Sequence, residues 1–114
     1  MIRTVLTLRV DPDRLREVLA MYREEDILQF SLDHSDALAS ELSIASDGSG
    51  EVMVTALWPD EAAYQGWLDH PSRKESAPRL ARLLDGAAEV GPGRIFAIDH
   101  SVSKVSTSPI VSEP

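Results

Sequence analysis

The sequence predicts an α+β domain with the element order β-α-β-β-α(α)-β, the split βαβ plan. Three observations carry this. Alternating apolar stretches open the chain and sit in its middle. Helix-period stretches follow each of them. A Gly-rich turn joins the two central strands. The length of 114 residues fits one domain. Residues 1–102 are expected to form it, with 103–114 as a loose or partner-wrapping tail.

The first element is IRTVLTLRV, residues 2–10, with Ile2, Leu6, Leu8 and Val10 on one face of a strand. Asp11 suits a helix N-cap and Pro12 the first helical position. Leu15, Val18, Leu19 and Tyr22 then follow helical spacing, which predicts a helix over about 12–25, extending toward Phe30. SLDHSDA reads as a polar connection. LASELSIAS at 38–46 alternates, and DGSG at 47–50 is a hairpin turn before EVMVTALW at 51–58.

This third strand is apolar on both faces: Val52, Val54, Ala56 and Trp58 on one, Met53 and Leu57 on the other. A strand buried on both sides needs cover on both. Helices supply one cover, and a second copy of the sheet is expected to supply the other.

Pro59 ends the strand and Asp60 caps a helix over about 61–69. Pro71 is expected to close it. A further helix is expected near 76–85, with Pro78 in its first turn and Gly86 at its stop. GPG at 91–93 reads as a turn, and RIFAIDHSV at 94–102 as the last strand. The whole is a ferredoxin-like four-stranded antiparallel sheet. Two such sheets face to face would give a dimeric α+β barrel.

Composition narrows the function. A net charge of −8 repels phosphate backbones, so nucleic acid is not an expected partner. No window reaches the 18 apolar residues of a membrane span. The alternating N-terminus with Arg3 and Arg9 is a strand and not a signal peptide, so a cytoplasmic location is expected. With no cysteine, disulfides and thiolate chemistry are excluded.

The histidines His34, His70 and His100 each follow an aspartate. Neighbouring side chains diverge on helices and strands, and the spacings match no metal pattern. Surface or capping roles are expected, with His100 of most interest because it falls on the last strand. No nucleophile elbow, Walker or dinucleotide-binding glycine pattern exists.

Aromatic residues make up only 5% of the chain, yet Trp58, Tyr64 and Trp67 fall within ten positions. Tyr64 and Trp67, three apart, are read as sharing one helix face. The rings seal the helix to the sheet and also suit one wall of a cavity. Beside Arg73 and Arg79 they could hold a flat, anionic aromatic ligand.

WPDEAAYQGW at 58–67 resembles the W-E-S-x-E-A-(Y/F)-x-x-(W/H) segment of the antibiotic biosynthesis monooxygenase family. The resemblance extends over about residues 2–100 and implies a dimeric α+β barrel. One branch of that family oxidises polyketide anthrones to quinones with O2 and no cofactor. Its pocket is lined by an Asn and a Trp on the third strand, a Tyr on the next helix and an Arg further on.

Trp58 matches that Trp and Tyr64 that Tyr, while Arg79 best matches the Arg and Val54 stands at the Asn position. The resemblance thus implies Tyr64 and Arg79 as catalytic residues, with Trp58, Trp67 and Val54 lining the substrate site, and neither metal nor cofactor. The partners implied are an aromatic or polyketide-like small molecule, O2 and a second subunit.

A haem-degrading branch resembles the chain at Trp67. Its iron-binding His falls on Ser76 and its first-strand Asn near Leu6, so this branch is not expected. A polyketide cyclase on the same barrel, and a non-catalytic small-molecule binder, are the alternatives.

Overall fold

The computed structural model describes residues 1–104. The expected tail falls almost wholly outside them. β1 (Ile2–Val10) is the central strand, with β3 (Glu51–Trp58) antiparallel on one side and β2 (Ala39–Ile44) beyond β3. On its other side β1 pairs with β4 (Ala88–Val90) at one end and β5 (Arg94–Ala97) at the other. The sheet is therefore four strand positions wide, in the order β2-β3-β1-β4/β5, as the ferredoxin-like plan requires.

GPG is not a turn that reverses the chain. Leu8 faces Val90, whereas Val5 faces Arg94. Between these pairs, two residues on β1 (Leu6 and Thr7) stand opposite three on the edge, so one extra residue is accommodated at Gly91–Gly93. This is a β-bulge, and it inverts the side-chain alternation along the edge. Val90 shares a face with Leu8, yet Ile95 and Ala97 share that same face with Thr4 and Ile2. The last strand stops at Ala97, not at 102.

The helices cover one face of the sheet. Leu8, Val10 and Val52 from the sheet pack there with Val18, Tyr22, Leu84 and Ala87. Burial holds the Tyr22 phenol above its usual pKa, because the anion would lose its water. The other face carries Val5, Thr7, Met53, Thr55 and Leu57 on the inner strands and Phe96 on the edge strand. Arg3 lies between Leu57 and Phe96, and Arg9, Arg94, Glu41, Glu51 and Glu89 stand around them. Met53 and Phe96 are about 40% exposed there.

The first helical region divides into three. Asp11 Oδ1 accepts from the Asp13 amide and starts a 3-10 turn at Pro12–Arg14. α1 (Leu15–Glu24) follows, then Asp26 at φ 52°, then α2 (Ile27–Asp33). A left-handed residue breaks a helix path, and here it redirects the chain so that α2 meets β2. Part of SLDHSDA is thus helical.

In the hairpin, Gly50 sits at φ 86°, and a Cβ there would lie 2.1 Å from the Val10 carbonyl oxygen. The close approach lets the Val10 amide donate to the Gly50 carbonyl at 3.0 Å.

α3 (Glu61–Leu68) is capped by Asp60, whose Oδ1 accepts from the Ala63 amide at 2.8 Å. α4 runs Pro71–Leu84, starting earlier than the sequence suggests. Pro71 opens it instead of closing α3. Pro fits the first helical position because its missing N–H would have no partner there. Pro78 consequently lies inside the helix, not in its first turn. It leaves the Lys74 carbonyl without its helical donor, on the exposed side where water can serve.

Candidate functional site

Pro59 and Asp60 turn the chain sharply from β3 into α3, and this turn brings Tyr64 back over Trp58. The Trp58 side chain lies on the helix-covered face and is only 3% exposed. Its indole Nε1 donates to Thr4 Oγ1 at 3.0 Å, so its one polar atom is satisfied. Tyr64 packs edge-on against it, with centroids 5.3 Å apart and planes at 60°. That is the arrangement aromatic quadrupoles favour.

The Tyr64 hydroxyl lies beside the bulge, 3.6 Å from where a Cβ on Gly93 would be. It makes no hydrogen bond with another described residue. A half-buried phenol with a free hydroxyl can donate a proton or orient a ligand oxygen.

Trp67 belongs to a different group. Its ring lies 5.8 Å from His70 and 6.4 Å from Phe30, and Phe30 stacks on His34 at 4.2 Å. The expected single wall of three rings is thus divided. Three residues turn a helix by about 300°, so their side chains diverge by about 60°. α3 lies in the angle between sheet and α2, and that divergence sends Tyr64 to one and Trp67 to the other.

Trp67, His34 and His70, with Asp33, Asp36 and Ala63, line an open cleft of about 590 Å³.

Val54 is half-buried on the helix-covered face, opposite Leu6 and Leu42, and packs on the core. Arg79 reaches α1, where Nη2 lies 2.6 Å from Glu25 Oε1 on the surface. Arg73 Nη1 contacts the Leu68 carbonyl at 3.5 Å. The two arginines and the Trp58–Tyr64 pair are therefore not brought together. The early start of α4 turns Arg79 toward α1. Ser76 bonds back to the Arg73 carbonyl.

His70 is the N-cap of α4, its Nδ1 accepting from the Ser72 amide at 3.0 Å. His100 lies beyond β5, exposed, and bonds Asp99 at 2.7 Å. Adjacent residues can meet there because the strand has ended. Among the described residues no group of three or more His, Asp or Glu could hold a metal ion. Nor is any helix there long and apolar enough to cross a membrane.

Sequence reasoning missed Thr4, Gly93, Phe30 and the pairing of His34 with His70. Only His70 had a local signal, a polar residue before a helix-opening proline.

The family model described as antibiotic biosynthesis monooxygenase matches residues 1–79. No curated protein matches the sequence. Several solved structures match the fold. The haem degrader MhuD of Mycobacterium tuberculosis, with two haems in its active site, is 16% identical at a TM-score of 0.73, covering 90% of this chain and 100% of that one. SnoaB, a cofactor-independent oxygenase from Streptomyces nogalater, is 16% identical at a TM-score of 0.65, over 89% and 95% of the two chains. An antibiotic biosynthesis monooxygenase is 20% identical at 0.63, over 90% and 100%. At these identities the likeness is one of fold.

Proposed function

The chain belongs to the antibiotic biosynthesis monooxygenase family, and on that footing we propose that it oxidises a polycyclic, phenolic, anthrone-like substrate to a quinone with O2 and no cofactor. The observation that carries this reading is the Trp58–Tyr64 pair. Its indole is fixed by Thr4 and its phenol hydroxyl is free beside Gly93.

The reaction balances without a further reductant. The phenolic anthrone loses a proton to solvent and becomes an electron-rich enolate. One electron passes to O2, and the resulting radical and superoxide combine to form the new C–O bond. The peroxide takes a proton, in this proposal from the Tyr64 hydroxyl, which solvent restores. The O–O bond then breaks as the second hydrogen leaves the same carbon. One CH2 and one O2 become one C=O and one water.

The chain's part is to hold the anion, exclude water and deliver a proton at short range. The substrate rings would lie against Tyr64, with Trp58 and Val54 as the apolar backing beneath it, while Trp67, turned toward α2, takes no part. Arg79, which the resemblance matches to the anion-holding Arg, would have to leave Glu25 and reach across to Tyr64 to hold the substrate anion. An exposed ion pair contributes little stability, so leaving it costs little.

We further propose a homodimer built through the uncovered sheet face. The exposed Met53 and Phe96 on that face support this.

One specific observation favours a second reading, a non-catalytic binder of aromatic molecules. Val54 supplies no hydrogen bond where the resembling branch has an Asn.

Oxygen uptake by the metal-stripped protein with a dihydroxyanthrone, alongside quinone absorbance, tests the proposal. One O2 consumed per quinone formed, in proportion to protein, is the expected result. Binding of the anthrone with no uptake above the protein-free rate would replace the oxidation by the binder.

A further inference from the structure

The cleft between α2 and α3 is separate from the Trp58–Tyr64 pair, and its two histidines are held in opposite hydrogen-bonding states. His34 Nδ1 lies 2.8 Å from the Phe30 carbonyl oxygen. A carbonyl only accepts, so Nδ1 carries the proton. In the neutral ring this leaves the His34 Nε2 as a bare acceptor. His70 is the converse. Its Nδ1 accepts the Ser72 amide at 3.0 Å, so in the neutral ring the proton sits on Nε2, a donor.

The backbone thus fixes one imidazole as acceptor and its neighbour as donor, with ring centroids 6.4 Å apart. Trp67 lies against His70 and offers an apolar wall, and Gly66, Ala62 and Ala63 keep the α3 side low. Asp33 and Asp36 at the margin, on a chain of net charge −8, disfavour an anion.

We propose that this cleft binds a neutral, flat aromatic ligand presenting a hydrogen-bond donor and acceptor on adjacent atoms, as a lactam or aryl amide does. The ligand N–H donates to His34 Nε2, its C=O accepts from His70 Nε2–H, and its ring lies on Trp67. The site does not rest on the oxidation described above and needs no O2.

The probe is 2-quinolone, a bicyclic lactam, with 2-methoxyquinoline as the control that keeps the rings and lacks the N–H. Imidazole and indole resonances of the full chain are followed by 15N-edited NMR. Quinolone is expected to shift His34, His70 and Trp67 saturably, and to bind about tenfold more tightly than the methoxy compound, one hydrogen bond's worth.

His34→Phe keeps a ring on Phe30 and removes the acceptor. His70→Asn keeps a side-chain oxygen to cap α4 and removes the donor. Each is expected to lower quinolone affinity about five- to tenfold and to leave the methoxy compound unaffected at His34→Phe. Equal binding of the two compounds, or quinolone shifts that bypass these three residues, would overturn the proposal. His34 is exposed, so His34→Phe and the ligand pair decide the matter even where His70→Asn fails to fold.

Discussion

The Trp58 indole is tied to Thr4, two positions along the neighbouring strand from its direct partner Ile2, by a hydrogen bond of 3.0 Å. Thr4→Val keeps the shape and removes the acceptor from an indole that is 3% exposed. The orphaned N–H is expected to cost about 1–3 kcal/mol. Each kcal/mol corresponds to about 4–8 °C in the melting temperature of a domain this size. Thermal unfolding of the variant by circular dichroism reads this directly, and an unchanged melt would mean that the bond contributes nothing.

Tyr64→Phe separates packing from chemistry. The ring stays against Trp58 and only the hydroxyl goes, so the fold is expected to survive. Turnover with a dihydroxyanthrone is expected to fall about a hundredfold or more, the lower range for loss of a general acid, with KM little changed. If kcat and KM both stay at their wild-type values, Tyr64 has no part in the proton transfer.

Tyr22 offers a pH test with a defined sign. Burial raises its folded pKa above the usual phenol value of 10.0. Its contribution is therefore intact below the unfolded pKa, near 10, and is lost as pH rises through the higher folded value. Urea midpoints should fall on the alkaline side of 10. Tyr22→Phe should reduce that fall and stay near wild type at pH 7, since the hydroxyl bonds no described residue. An alkaline slope identical in both proteins would assign the loss to other groups.

The glycines of the hairpin divide sharply. Gly48 at φ 77° has open space around its would-be Cβ, so Gly48→Ala is expected to cost about 1–2 kcal/mol, the left-handed backbone penalty alone. Gly50→Ala adds an overlap with the Val10 carbonyl oxygen. Its expected cost exceeds about 4 kcal/mol, the range reserved for severe lesions. Comparable melting temperatures for the two variants would show that the hairpin relaxes freely.

The proposed dimer can be broken on its face. Met53 lies on the uncovered sheet surface and touches none of the helix-side core. Met53→Asp should leave the monomer folded and shift sedimentation from dimer to monomer at concentrations where wild type is paired. A variant that remains dimeric would move the interface elsewhere.

The strands β1 and β3 were legible because their period-two pattern is long and their turn chemistry is local. The edge was not. Val90 and Ile95 share a face only through the one-residue bulge at Gly91–Gly93, and the sequence there shows a glycine-proline signal without its geometry. α4 begins five residues before the helix the sequence suggests, because a proline can stop one helix or open the next, and only the His70 cap decides between them.

The neighbourhood of Trp58 and Tyr64 was legible because it spans a single strand-to-helix turn. The divergence of Trp67 depends on how α3 sits between sheet and α2. Arg79's partner Glu25 is 54 residues distant, a separation no local pattern carries.

The bulge at Gly91–Gly93 has a protective side as well. An open sheet edge is a template on which another chain can add a strand and start a fibre. Here the β4/β5 edge changes register midway, and Pro92 offers no amide at that point. An incoming strand could stay in register with only half of it. Edge-to-edge growth is blocked on that side, which leaves the flat of the sheet as the face for the proposed dimer.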